Sequence, residues 1–254
     1  METKLKEILN WLEQYKEATR CRGVVLGISG GKDSTVVAML TKKVWGNNVF
    51  GVLMPNGTQR DINDALDIVK TLGIEHRIVN IETVYNSLLH VIENRIEETL
   101  IGRDFVANCP KVTDKAKTNI PPRIRMTTLY AVAQTLGYRV IGTGNASEAY
   151  IGWTTKWGDS AYDFNPIAHL TCTEVMALGG LLADEFGLNK KYVTKTPSDG
   201  LCGKTDEDSF GFTYATLDGY ISGGMSNTDY ETALKIEQMH QASEHKRNMP
   251  ATLE

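Results

Sequence analysis

Residues 26–37 read LGISGGKDSTVV, and the fold turns on this stretch. The apolar run VVLGIS (24–29) reads as a buried strand that stops at glycines, and the chain restarts as a helix over 33–45. A strand that passes through glycine into a helix presents free backbone N–H groups and the positive end of a helix dipole, so the turn is a predicted anion cradle. Yet it carries an acid, Asp33. An unscreened carboxylate beside phosphate oxygens costs on the order of several kcal/mol at an effective dielectric of about 20. Magnesium removes that conflict, because it binds one or two carboxylates together with substrate phosphates. Asp33 therefore reads as a metal ligand in a nucleotide site; the plainer alternative is an acid favoured by the helix dipole. The two commonest phosphate loops do not match. A Walker A loop needs a first glycine where Leu26 stands and a Ser or Thr where Asp33 stands. GxGxxG is absent, and GTGNAS (142–147) only approaches it.

Outward from the loop, strands and helices alternate. The first 23 residues set Leu5, Ile8, Leu9, Leu12 and Tyr15 at helical spacing. NVFGVLMP (48–55) and EHRIVNI (75–81) are predicted strands around a helix over 60–72, and a further helix is predicted over 82–100. After a polar loop (102–118), paired prolines suit a helix start in PPRIRMTTLYAVAQTLG, and Gly137 suits its end. YRVIGTGN (138–145) is a predicted strand running into a turn. Beyond 150 come a long polar loop, a helix near 173–186, another loop, and helices near 213–221 and 228–243. Alternation implies an α/β fold, a Rossmann-like doubly wound parallel sheet with flanking helices. No repeat or low-complexity linker interrupts residues 1–254, so a single domain is expected.

Composition narrows the function. The 254 residues are 41% apolar and 23% charged with net charge −4, so nothing global marks nucleic acid or an anionic membrane as a partner. The amino terminus is charged and amphipathic, unlike a signal peptide. No run approaches the length needed to span a bilayer. Cys21, Cys109, Cys172 and Cys202 are scattered without a CxxC pair. That argues against structural zinc or a disulfide framework and for a reducing, cytoplasmic setting. Asp33 and Glu148 both follow predicted parallel strands, which puts both at the carboxyl edge where open α/β sheets bind ligands.

SGGKDS (29–34) resembles the SGGxDS loop of the N-type ATP pyrophosphatases, which cut ATP between its α- and β-phosphates and adenylate an acceptor. That superfamily includes NAD, GMP, asparagine and argininosuccinate synthetases and several tRNA-modifying enzymes, and the loop alone does not choose among them. Further stretches resemble the ammonia-dependent NAD synthetases: TNIPPRIRM (118–126), GTGNASE (142–148), TTKWGDSAYDFNPI (154–167), TDEDSFGFTYATLDGYI (205–221) and the tail SEHKRNMP (243–250). The resemblance implies the N-type ATP pyrophosphatase fold and amidation of deamido-NAD by ammonia through an adenylate, releasing AMP and pyrophosphate. It implies ATP contacts from Gly27, Ser29, Gly30, Gly31, Lys32, Ser34, Thr143 and Ser198, and Mg2+ held by Asp33 and Glu148. Arg123, Lys156, Asp163, His245 and Lys246 would hold deamido-NAD. It further implies a homodimer without a glutaminase domain.

Two departures stand out. Cys172 occupies an ATP-contacting place where the family usually has lysine, and Pro121–Pro122 replaces a lysine-containing pair. Lys32, at the variable position of the loop, is expected to replace part of the missing charge. Taken alone, Glu148 reads equally as a helix-start acid, Arg123 and Arg125 as a solvated helix face, and His245–Lys246 as a frayed tail. His76, His90, His169 and His240 read as surface or core residues, and Trp153 and Trp157 as packing. Two rivals remain open: another pyrophosphatase of the superfamily acting on GMP precursors or tRNA, and a non-catalytic adenine-nucleotide sensor.

Overall fold

Four short runs pair in parallel: β1 (Val24–Gly27), β2 (Val49–Leu53), β3 (Glu75–Ile78) and β4 (Arg139–Val140). They belong to a computed structural model that describes residues 1–58, 61–93, 111–195 and 205–253. The helices in chain order are α1 (Glu2–Thr19), α2 (Lys32–Trp45), α3 (Ile62–Thr71), α4 (Glu82–Glu93), α5 (Asp114–Leu136) and α6 (Ala146–Ile151). Then follow α7 (Cys172–Phe186), α8 (Lys191–Thr194), α9 (Asp206–Phe210), α10 (Tyr214–Gly223), α11 (Tyr230–Ala242) and α12 (Glu244–Arg247).

The strand order is β3-β2-β1-β4. The chain steps outward through β2 and β3, then returns to the far side of β1 as β4. The order reverses between β1 and β4, and that reversal opens a crevice at the carboxyl ends of the strands. Side chains of β1 alternate between faces, as a strand requires. Val24 and Leu26 join Val36, Met39 and Leu40 of α2, Leu178 and Leu182 of α7, and Leu12 of α1. Val25 joins Val52, Val140 and Ala133 of α5 on the opposite face. Helices thus cover both faces of a parallel sheet, as expected. Gly179 of α7 permits close packing on α2 and α8: a Cβ there would lie 2.7 Å from the Val193 side chain and 2.9 Å from that of Val36. A further cluster, including Ile151, Cys172, Phe210, Tyr214, Leu217 and Ile236, ties α6 and α7 to α9, α10 and α11.

Several boundaries differ from the sequence reading. Helix α5 begins at Asp114, where the Thr113 side chain accepts the Ala116 N–H, so Pro121 and Pro122 lie inside the helix rather than at its start. Interior prolines remove backbone donors; both rings are buried here, with Pro122 packed against Gly158. Strand β4 is only two residues long. Beyond it the chain pairs with residues 163–164: Ile141 bridges Phe164, and the Gly142 N–H donates to Phe164 O at 2.8 Å. Helices α8 and α9 fall where loop was expected, and α6 forms in a stretch assigned to no element; each is six residues or fewer, too short for a periodic pattern to show.

Strand β3 is exposed along its length, and α4 buries none of its residues. Its apolar positions Val84 and Val91 are 55% and 62% exposed.

Candidate active site

The cradle forms as the sequence suggests. Gly27 ends β1, and Gly31 caps α2 in extended backbone. Gly30 takes a φ of +85°, and a Cβ there would meet Asp61 O at 3.0 Å, so only glycine suits the turn. Ser29 and Ser34 hold the loop together. Their hydroxyls lie 3.1 Å apart, Ser29 Oγ accepts the Gly31 N–H at 3.1 Å, and Ser34 Oγ donates to Gly31 O at 3.1 Å.

Across the crevice, the chain leaves β4 through Gly142, Thr143 and Gly144 into α6. Asn145 caps that helix in a reciprocal box: its Oδ1 accepts the Glu148 N–H at 3.0 Å, and Glu148 Oε2 accepts the Asn145 N–H at 3.2 Å. The same Asn145 donates through Nδ2 to Asp33 Oδ1 at 3.0 Å. The fully buried Asn145 side chain therefore links the carboxylate after β1 to the backbone N–H of Glu148, whose own carboxylate is held by the Asn145 N–H. Sequence reading passed over Asn145, although the NASE spacing of a capping box was present to find it.

Lys32 completes the cluster. Its ammonium donates to Asp33 Oδ2 at 2.8 Å and lies 5.3 Å from the centre of the Tyr214 ring. The residue is only 4% exposed. Burial opposes its charge, but the neighbouring Asp33 and Glu148 hold the proton on more firmly than in free lysine. Burial also pushes Glu148 up to about 8, helped by the Asp33 charge and opposed by Lys32. Glu148 keeps some solvent access as a residue, but its carboxyl group is packed round by protein atoms, and that local enclosure governs its proton. Tyr214 donates to Asp206 Oδ2 at 3.0 Å, and burial raises its phenol far above the ordinary value.

Cys172 is fully buried, and burial pushes its thiol up to about 12. It is a neutral group beside Lys32, not a cation. Its N–H donates to Ser147 Oγ at 2.8 Å, and Ser147 in turn donates to the buried Asp218, which also accepts the Thr173 N–H at 2.8 Å. Asp218 of α10 thereby anchors the starts of α6 and α7.

The donor set suits magnesium. Among the described residues no three His, Cys, Asp or Glu side chains gather as a closed metal cage. Asp33 and Glu148, which follow β1 and β4, would supply oxygen donors, and an ion held by so few carboxylates would keep water and take phosphate oxygens.

The residues expected to hold the second substrate partly converge. Arg123 Nε donates to Lys156 O at 3.3 Å, and the Lys156 ammonium donates to His245 O. Lys246 donates to Gly152 O and Thr154 O, both at 2.7 Å, and burial lowers its pKa. The tail is thus a staple across the 152–160 loop, not a frayed end. Arg247, unremarked in the sequence, adds bonds to Ala149 O at 3.1 Å and Tyr150 O at 3.0 Å. Asp163 is engaged apart from this group: its Oδ2 accepts the Val140 N–H at 2.8 Å. Ser198 lies outside the described residues.

Two plain readings change. Arg125 is not part of a solvated face; it donates to Met54 O at 3.1 Å, just beyond β2, and burial lowers its pKa. Trp157 is 52% exposed, with a φ of +62° that L-residues rarely adopt, and the Lys156 ammonium lies over its ring. Asn56, in the turn after β2, has its Oδ1 buried without a partner. Trp153 does pack, edge-on against Phe210, and His240 stacks on Tyr150.

The family profile for NAD synthase matches residues 4–250. The NH(3)-dependent NAD(+) synthetase of Carboxydothermus hydrogenoformans is 38% identical over 252 residues, covering 98% of this chain and 96% of that protein. Among solved structures, an NMN synthetase from Francisella tularensis superposes with a TM-score of 0.84 at 32% identity, covering 99% of this chain and 98% of that one. The NH3-dependent NAD synthetase of Campylobacter jejuni gives 0.76 at 27% identity, covering 100% and 98%. With a family profile matched over residues 4–250 and a relative 38% identical over 98% of the chain, the protein belongs to the NAD synthase family.

Proposed function

We propose that the protein converts deamido-NAD to NAD, using ATP and ammonia. The observation that carries this reading is the Asp33–Asn145–Glu148 bridge, which brings two acids to the mouth of a glycine cradle. The nicotinate carboxylate attacks the α-phosphorus of ATP, and the bond to the bridging oxygen breaks to release pyrophosphate. Ammonia then attacks the activated carbonyl, loses a proton, and AMP departs with the C–O bond. Adenylation replaces an unreactive carboxylate by an ester with a good leaving group. In this scheme Gly27, Ser29, Gly30, Gly31, Ser34 and Thr143 border the phosphates, and Asp33 and Glu148 hold Mg2+. When bound, the ion neutralises charge developing on the departing pyrophosphate. Arg123, Lys156 and His245 line the pyridine-nucleotide side, with Lys246 fixing their loop.

A pyrophosphate-release assay with ATP, magnesium and ammonium tests the proposal. NAD and AMP should form in equal amounts only when deamido-NAD is present, and glutamine should not replace ammonium. Tight ATP binding without turnover would favour the sensor, and release independent of any nicotinate acceptor would sink the assignment. The likeness to an NMN synthetase adds one arm to the assay, nicotinate mononucleotide, whose preferred use would move the acceptor from dinucleotide to mononucleotide.

We further propose a homodimer that uses the exposed apolar side chains of α4, among them Val84, Leu88 and Val91. Sedimentation showing a monomer at micromolar concentration would refute it. The chain is read as one catalytic unit over 1–254. Its buried free thiols, Cys21 and Cys172, agree with the reducing cytoplasm.

A further inference from the structure

Lys32 is an unusual occupant of a cradle for anions. A lysine is rarely buried unless it is paired, and here the pairing is to Asp33, an acid the proposed function assigns to a metal. The ammonium sits at 2.8 Å from Asp33 Oδ2, while the other oxygen of that carboxylate is held by Asn145 at 3.0 Å. Glu148 is close enough to act on the lysine charge. The Tyr214 ring lies against the same ammonium at 5.3 Å. No other cationic side chain shares these contacts among the described residues. The position therefore holds one positive charge paired with Asp33 and near Glu148, and a divalent cation placed there would meet both that charge and an already occupied oxygen.

We propose that Lys32 is an exchangeable counter-cation: it holds Asp33 in the nucleotide-free protein, yields that oxygen when a divalent cation enters, and turns its ammonium to the nucleotide phosphates. The inference rests on the reading of Asp33 and Glu148 as metal ligands. Two opposite effects follow from it. Without nucleotide, the lysine competes with the metal. With nucleotide, the lysine assists, because its charge then faces phosphate rather than carboxylate. A lysine that only packed the loop would not produce effects of opposite sign.

The test is Mn2+ binding, read from the free-ion signal by electron paramagnetic resonance, on the full-length protein without nucleotide. Binding of a non-hydrolysable ATP analogue with Mg2+ is measured in parallel by calorimetry. Lys32→Met keeps the length of the stem and removes the charge. It should tighten Mn2+ binding by about tenfold, as expected for removing one nearby like charge from a partly buried site, and weaken the analogue by about tenfold. Lys32→Arg, which keeps the charge, should show no tightening of Mn2+. If Lys32→Met fails to tighten Mn2+, or tightens both ligands, the exchange is overturned. Asp33→Asn separates the two levels: unchanged Mn2+ binding in that variant would refute the metal site itself. Weakened Mn2+ binding in Asp33→Asn, with none gained in Lys32→Met, would refute only the role of the lysine.

Discussion

Replacing Asn145 by alanine probes the bridge on which the site is built. The side chain is wholly buried, accepts the Glu148 N–H at 3.0 Å and donates to Asp33 Oδ1 at 3.0 Å. Loss of the helix cap costs about 1 kcal/mol, and loss of a hydrogen bond to a charged acceptor costs about 2 kcal/mol. Unfolding free energy from urea titration should therefore fall by about 3 kcal/mol, and Tm by about 9 °C for a chain of this size. Freed of their common partner, Asp33 and Glu148 lose their alignment, and kcat/KM should fall about a hundredfold, equivalent to about 2.7 kcal/mol. Asn145→Asp separates capping from bridging. Aspartate caps as well as asparagine, but it turns an oxygen toward Asp33 Oδ1 where a donor stood. That variant should keep more stability than Asn145→Ala in acid and lose the advantage as pH rises, while its activity stays low. An Asn145→Ala protein within about 0.5 kcal/mol of wild type, with unchanged kcat/KM, would refute the bridge.

Other expectations follow from the same geometry. Gly30→Ala must hold an L-residue at φ +85° with its Cβ 3.0 Å from Asp61 O; it should lose about 1–2 kcal/mol and raise the KM for ATP, seen by calorimetry and steady-state kinetics. Lys246→Met orphans Gly152 O and Thr154 O; it should raise the KM for the pyridine nucleotide more than that for ATP, with faster amide exchange over 152–160. Glu148 binds its proton more tightly folded than unfolded, so the folded state holds more protons between the unfolded value and about 8. Its contribution to stability is complete in acid and is lost as pH rises through that window. Metal-free protein should accordingly lose Tm from pH 5 to 8, and saturating Mg2+ should reduce the loss; a Tm that rose across that range without metal would contradict this assignment.

How much could be read in advance differs from residue to residue. VVLGIS, the glycine cradle and the helix after it were legible because each is encoded by neighbours in sequence: apolar run, glycines, helical spacing. The long helices α1, α2, α7 and α11 lie close to where periodicity places them. Pro121 and Pro122 misled, since local preference puts proline in the first helical turn, whereas Thr113 starts α5 earlier and tertiary packing buries both rings. Arg125 looked solvated because helical spacing says nothing of what lies across the sheet; Met54 O does. Lys246 looked frayed because its partners, Gly152 O at the end of α6 and Thr154 O beyond it, are visible only once the chain has folded.

From sequence alone came the alternating α/β order, the glycine turn between β1 and α2 and the acid placed at its helix start, all of which depend on adjacent residues. Only the tertiary structure joined Asp33 to Glu148 through Asn145, 112 positions from the first acid, and set Lys32 near Glu148 under the Tyr214 ring. The physical reason is the strand order: β4 returns beside β1, and contacts made across that crevice are determined by sheet pairing and burial, which no local run of residues encodes.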